Sequence, residues 1–131
     1  MTRRYARELA LQTLFSIEIG RHDASVALHE TLARPGVETQ RGFIRDLVYG
    51  TLEHAAESDA LIAPLLEGWT LERLPTVDRI LLRMSAYEMR YRPHTPHAVV
   101  INEAVELAKR FSTEESGRFV NGVLSSVGRS A

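Results

Sequence analysis

Thr76-Val77-Asp78-Arg79-Ile80-Leu81-Leu82-Arg83-Met84-Ser85-Ala86-Tyr87-Glu88-Met89-Arg90-Tyr91 carries the most regular apolar stripe in the chain. Val77, Ile80, Leu81, Met84, Tyr87 and Tyr91 recur at the period of an α-helix with one face turned inward, and Thr76 is placed to cap it. Downstream, Pro93 and Pro96 bracket a loop. Residues 98–111 then put Val100, Ala104, Leu107, Ala108 and Phe111 on one side, with Glu106 and Arg110 paired at i,i+4 on the other. Ser112 followed by Glu115 has the capping-box spacing and opens a last helix through Val120, Val123, Leu124 and Val127. Upstream, Ala6, Leu9, Ala10, Leu14 and Ile17 mark a first helix that Gly20 ends, and Asp23 caps a second carrying Val26, Ala27 and Leu32. Ile44, Leu47, Val48, Thr51 and Ala55 share one face of a third, with a continuation or restart near Ser58 that Pro64 disturbs. Every element reads as α. The expected fold is therefore all-α, a compact helical bundle of about six to seven helices.

The 131 residues fit a single domain and the 44% hydrophobic content supplies its core. With no cysteine there is no disulfide framework, no thiolate nucleophile and no Cys-rich zinc site. No apolar run approaches the about 20 residues a membrane span requires, and Met1-Thr2-Arg3-Arg4-Tyr5 leads into a mixed segment, so a cytoplasmic protein away from membranes is expected. The Gly-x-Ser-x-Gly elbow, the phosphate-binding Gly-rich loops, His-Glu-x-x-His and the paired Glu-x-x-His of di-iron bundles are all missing. The expectation is accordingly a binding protein, not an enzyme, with no cofactor and no metal. His22, His29, His94, His97 and the Glu53-His54 pair read as exposed polar positions.

Charge is informative only when divided along the chain. Residues 1–21 hold four arginines against two glutamates, residues 22–78 four arginines against ten acids, and residues 79–131 eight basic side chains against five acidic. The ends are basic and the middle is acidic. Arg3, Arg4 and Arg7 stand at a helix start, where the macrodipole favours acids, so either an external anion such as nucleic-acid phosphate compensates them or they form a solvated basic end. Three phosphate contacts give a salt slope of only about −2 on a single strand, so a partner protein or base-stacking groups must supply the rest of the grip. On the phosphate reading, alanine at all three positions lowers nucleic-acid affinity and leaves melting nearly unchanged. Asn102, Glu103 and Asn121 sit among core positions, and the two asparagines are expected to tie helix ends together by buried hydrogen bonds. Gly122 is expected at a close helix crossing, while Phe111 and Phe119 are core residues by default that could offer a stacking face beside Lys109 and Arg118.

Together these segments resemble the NusB family of bacterial transcription antitermination factors. The matching motifs run in order along nearly the whole chain: residues 6–12 with Leu14-Phe15, residues 43–48, residues 78–84 with Tyr87-Glu88, Ile101-Asn102-Glu103-Ala104-Val105-Glu106-Leu107-Ala108-Lys109, and Phe119-Val120-Asn121-Gly122-Val123-Leu124. The same domain occurs fused to an RNA cytosine methyltransferase, for which this chain has no catalytic cysteine. The resemblance implies one domain over residues 1–131, built of two small helical halves, roughly 1–67 and 74–131, packed across each other. It implies binding of boxA RNA in ribosomal RNA leaders together with NusE, the small-subunit ribosomal protein S10, within the RNA polymerase antitermination complex. It places Arg3, Arg4 and Arg7, with Glu115, Arg118 and Phe119, at the RNA. Asp78 and Arg79 would lie on the side that receives the ribosomal protein, and a homodimer is a further possibility for the family. The rival readings are a self-associating helical interaction protein without nucleic-acid binding and, with less support from the mixed face of residues 76–91, a helix-turn-helix DNA binder.

Overall fold

The computed structural model describes residues 1–130. Among them it forms seven α-helices, α1 (Arg3–Ile19), α2 (Ala24–Leu32), α3 (Arg41–Glu53), α4 (Ala55–Ile62), α5 (Thr76–Tyr91), α6 (His97–Phe111) and α7 (Glu114–Ser130). Short 3-10 turns occupy Glu38–Gln40, Ala63–Leu65 and Leu71–Arg73, and no strand occurs among the described residues. The all-α bundle expected from periodicity is the fold observed.

The α5 helix is the hub, because it packs against α1, α3, α4, α6 and α7. Its apolar stripe is wider than a one-faced helix requires: Leu82, Ala86 and Met89 are buried as fully as Ile80, Leu81 and Met84. A helix with neighbours on several sides has no single solvent face, which is why the polar Asp78, Ser85 and Glu88 are also enclosed there. Around it, α1 packs on α2 and α3, and α6 lies along α7. Ile44, Leu47, Leu81, Leu82 and Leu124 are completely inaccessible, each worth about 1.5–3 kcal/mol relative to exposure.

Several helix ends differ from the sequence reading by a residue. Asp23 does cap α2, accepting from the Ser25 and Val26 amides. Thr76, however, is inside α5, whose cap position is Pro75. At α7 the capping side chain is Thr113, whose Oγ1 accepts the Ser116 amide at 2.9 Å, while Ser112 terminates α6. The Ser112-Thr113 doublet offered two registers for one cap, and the preceding helix claimed the first. Gly20 closes α1 in right-handed geometry and the left-handed residue is Arg21, at φ 53°. Pro64 falls in the 3-10 turn that follows α4, as its missing donor demands.

One close approach shapes the interior. A Cβ on Gly50 would lie 2.0 Å from Cζ of Tyr87, so α3 carries glycine where the tyrosine ring crosses it. The ring's hydroxyl donates to Asp46 at 2.6 Å, and burial together with that carboxylate pushes the phenol up to about 12.

Candidate nucleic-acid interface

The start of α1 is held by Thr2, whose Oγ1 accepts the Tyr5 amide at 3.1 Å. From that fixed turn the three arginines diverge, because residues one and four positions apart on a helix point to different or stacked directions. Arg4 reaches α6 and donates through Nε and Nη2 to the two Glu103 carboxylate oxygens, at 2.9 and 3.1 Å. One turn on, Glu8 accepts from Arg110, so two ion pairs bolt α1 along α6. Arg3 turns the other way and sets its guanidinium carbon 3.9 Å from the Phe43 ring centroid.

Arg7 is where structure and expectation part. Its side chain is 6% exposed and forks onto Glu88 of α5, with Nε and Nη2 donating at 2.9 and 2.5 Å. A guanidinium so committed does not face solvent, and removing it cannot leave stability unchanged. Arg7 lies one turn before Ala10 and Leu11, both buried, and Glu88 one turn after buried Met84. Opposite charges on the inward register of two different helices were the available sign of an internal pair. Arg3 and Arg4, by contrast, are exposed.

A cleft of about 340 Å³ opens where the N-terminal ends of α5 and α7 meet the connector before α5. Trp69, Leu74, Asp78, Glu115, Ser116 and Phe119 line it, which brings two of the expected RNA residues to one concavity within the usual range of small-ligand sites. Trp69 is 58% exposed, the most accessible of the large hydrophobic side chains, and Phe119 is half-buried. Arg118 is exposed on the adjoining turn of α7. Trp69 was not singled out in the sequence because a lone tryptophan in a connector has no periodic partner; the flanking Gly68, at φ 75°, marks a turn that displays it.

Asp78 is the unusual group in this wall. It is 3% exposed; Oδ2 accepts from the Ser116 hydroxyl at 2.9 Å and Oδ1 has no hydrogen-bond partner among the described residues. Burial raises its carboxyl above the ordinary aspartate range, and the Ser116 and Ser112 hydroxyls pull it part of the way back. Because Ser116 has one proton and gives it to Asp78, its oxygen accepts, from the Thr113 hydroxyl at 3.1 Å, with the Ser112 hydroxyl also 2.9 Å away.

Asp78 and Arg79 do not share a side. Consecutive helical residues diverge by about 100°, and Arg79 instead crosses to α1, where Glu18 accepts from it, and also donates to the Leu71 carbonyl at 3.4 Å. The remaining expectations also change. Asn102, Asn121 and Gly122 are exposed, and a Cβ on Gly122 would meet nothing within 4 Å, so neither buried ties nor a close crossing exist there. Arg110 pairs with Glu8, while Glu106 has Lys109 at 3.8 Å. His97 is half-buried at the start of α6, with Nε2 3.3 Å from the Met89 carbonyl, and is not a solvated loop residue.

The sequence pattern that defines the NusB family matches residues 4–129. The transcription antitermination protein NusB of Geobacillus kaustophilus is 50% identical over 127 residues, covering 97% of this chain and 95% of its own length. That of Desulforamulus reducens is 46% identical over 125 residues, covering 95% of this chain and 87% of its own. Among solved structures, Thermotoga maritima NusB superimposes with a TM-score of 0.92 at 37% identity, over 98% of this chain and 92% of that one. A structure of the antitermination factors NusB and NusE in complex with double-stranded RNA superimposes with a TM-score of 0.86 at 25% identity, covering the whole of both chains.

Proposed function

The chain belongs to the NusB family, and from that premise we propose that it loads onto boxA RNA of ribosomal RNA leaders together with the ribosomal protein NusE and promotes read-through by RNA polymerase. It is a transcription antitermination factor that binds RNA with a partner protein; it is not an enzyme. The reading places it in the cytoplasm, where that polymerase works.

The observation that carries the RNA assignment is the pairing of a basic edge with an aromatic cleft along α6. Arg4 pairs with Glu103 near the middle of α6, Arg3 precedes it on the same turn of α1, and the Ser112–Phe119 segment begins where α6 ends. From Glu103 to Ser112 the α6 axis rises about 14 Å, a length that roughly four stacked nucleotides cover at about 3.4 Å each. The two arginines attract phosphate without regard to sequence. Trp69 and Phe119 offer π-faces to an unpaired base. Arg118 adds a cation at the rim, Glu115 limits how closely phosphate approaches, and Arg7 acts indirectly, by fixing α1 on α5. The ribosomal partner is assigned to the Arg79 side, where exposed Ile19 and Leu52 adjoin the ion pairs of Glu18 with Arg79 and Arg83.

Titration of labelled boxA RNA, with and without NusE, tests this. Arg3→Ala with Arg4→Ala is expected to weaken binding and to reduce the salt slope by about 1.4, the value for two contacts on a single strand. Trp69→Ala is expected to weaken binding with the slope unchanged. Sedimentation in the same series separates an RNA adaptor, which shifts with RNA, from a self-associating scaffold, which does not.

A further inference from the structure

We propose that Phe43 is a positioning residue for RNA capture: its ring seats the guanidinium of Arg3 and presents it to the strand as a cation with no carboxylate of its own. This rests on the reading of the α1 edge as RNA-binding.

Three guanidiniums surround this one ring, with their central carbons at 3.9 Å for Arg3, 4.9 Å for Arg92 and 5.3 Å for Arg7 from its centroid. Two of them are neutralised. Arg92 donates to Asp46 at 2.7 Å, and Arg7 forks onto Glu88. Arg3 has no hydrogen bond or ion pair among the described residues, and the ring is what holds it. The attraction is that of a cation for the negative face of an aromatic quadrupole, which orients a long side chain without cancelling its charge.

The ring is itself part of the core. Phe43 is 5% exposed on α3, beside fully buried Ile44 and Leu47, and belongs to the hydrophobic cluster those residues form. Burial, followed by the repulsion of Arg92 and Arg7, holds Arg3 below the usual arginine range, in keeping with three guanidiniums gathered at one ring. A guanidinium at the first residue of a helix would otherwise sample many rotamers and lose that freedom on docking. A carboxylate could fix it equally well but would compete with phosphate, as Glu103 does at Arg4. An aromatic platform fixes the side chain and leaves the charge available.

The test is a double-mutant cycle read by titration of labelled single-stranded boxA RNA, with Phe43→Leu, Arg3→Ala and their combination. Phe43→Leu is expected to weaken binding about two- to fivefold, in line with an exposed cation–π contact, to keep the salt slope, and to cost nothing further once Arg3 is alanine. Phe43→Tyr is expected to bind as wild type. In proton NMR of the unliganded protein, the Arg3 Cδ protons should lie upfield of those of Arg4 and return to ordinary positions in Phe43→Leu. Should Phe43→Leu fold poorly, the displacement in wild type and in Phe43→Tyr carries the test, and its absence overturns the assignment. A loss in Phe43→Leu that persists in the Arg3→Ala background overturns it too, because the ring then acts through something else. If Arg3→Ala weakens binding and Phe43→Leu does not, this inference alone fails. If Arg3→Ala binds like wild type, the α1 edge is not the RNA site and both readings fall together.

Discussion

Arg7 and Glu88 are both nearly inaccessible and both ionic, a combination that survives in a core only when the fork geometry supplies two charge-assisted bonds. Deleting one partner strands the other charge, at about 3–5 kcal/mol. Arg7→Ala is therefore expected to lower the melting temperature by about 10 °C or more in calorimetry, while Arg4→Ala, at a solvent-exposed pair, leaves it nearly unmoved. Arg7→Met combined with Glu88→Leu should recover most of the loss, since an apolar pair of similar volume carries no desolvation penalty. An unaltered melting curve for Arg7→Ala would return this residue to the solvent-facing set. The three N-terminal arginines are alike in sequence and become a ring-held cation, a rim ion pair and an internal strut in the structure. Their different fates depend on what α3, α5 and α6 bring opposite them, information that spacing along one helix does not contain.

At the scale of the helices, the periodic stripes were legible, and α1, α2, α5, α6 and α7 form where their apolar residues recur. The caps were less so, because Pro75, Thr113 and Arg21 each sit one place from an equally plausible neighbour. The cleft was half legible: Glu115 and Phe119 stood out, while Trp69 and Ser116 acquire their roles only when the connector folds back against α7. Two expected outcomes belong to this scale. Asp78 has a carboxyl raised by burial, so the stability it contributes is complete below the ordinary aspartate pKa of about 3.9 and is lost as pH climbs through the raised folded value. Asp78→Asn should consequently melt higher than wild type at neutral pH, with the two curves converging in acid. The groups facing Asp78, Ser112 and Ser116 among them, carry no titratable charge that would mask this, whereas Glu115 on the rim titrates in both proteins. Gly50→Ala forces a methyl into the Tyr87 ring, and overpacking of that kind costs about 1–3 kcal/mol, read as an earlier denaturant midpoint.

For the molecule as a whole, one helix is shared by every neighbour. Because α5 packs on the α1–α4 group and on α6 and α7 alike, neither part retains a complete core without it. Thermal unfolding is expected to be a single transition, with near- and far-ultraviolet circular dichroism tracing the same curve; separate midpoints would mean that the two groups fold independently. The formal charge of −1 conceals the basic ends, so the proposed attraction of RNA to the α1 edge is local and should fade as salt shortens the reach of exposed charges to about 8 Å at physiological ionic strength. The strut between Arg7 and Glu88 has one more implication. Helix tips ordinarily unravel and re-form, but this one is riveted, one turn in, to the helix that packs against five others. On the proposed reading of this edge, an incoming transcript meets a ready-made template, and the tuning of its grip falls to how quickly it leaves, not to any slow ordering step on arrival.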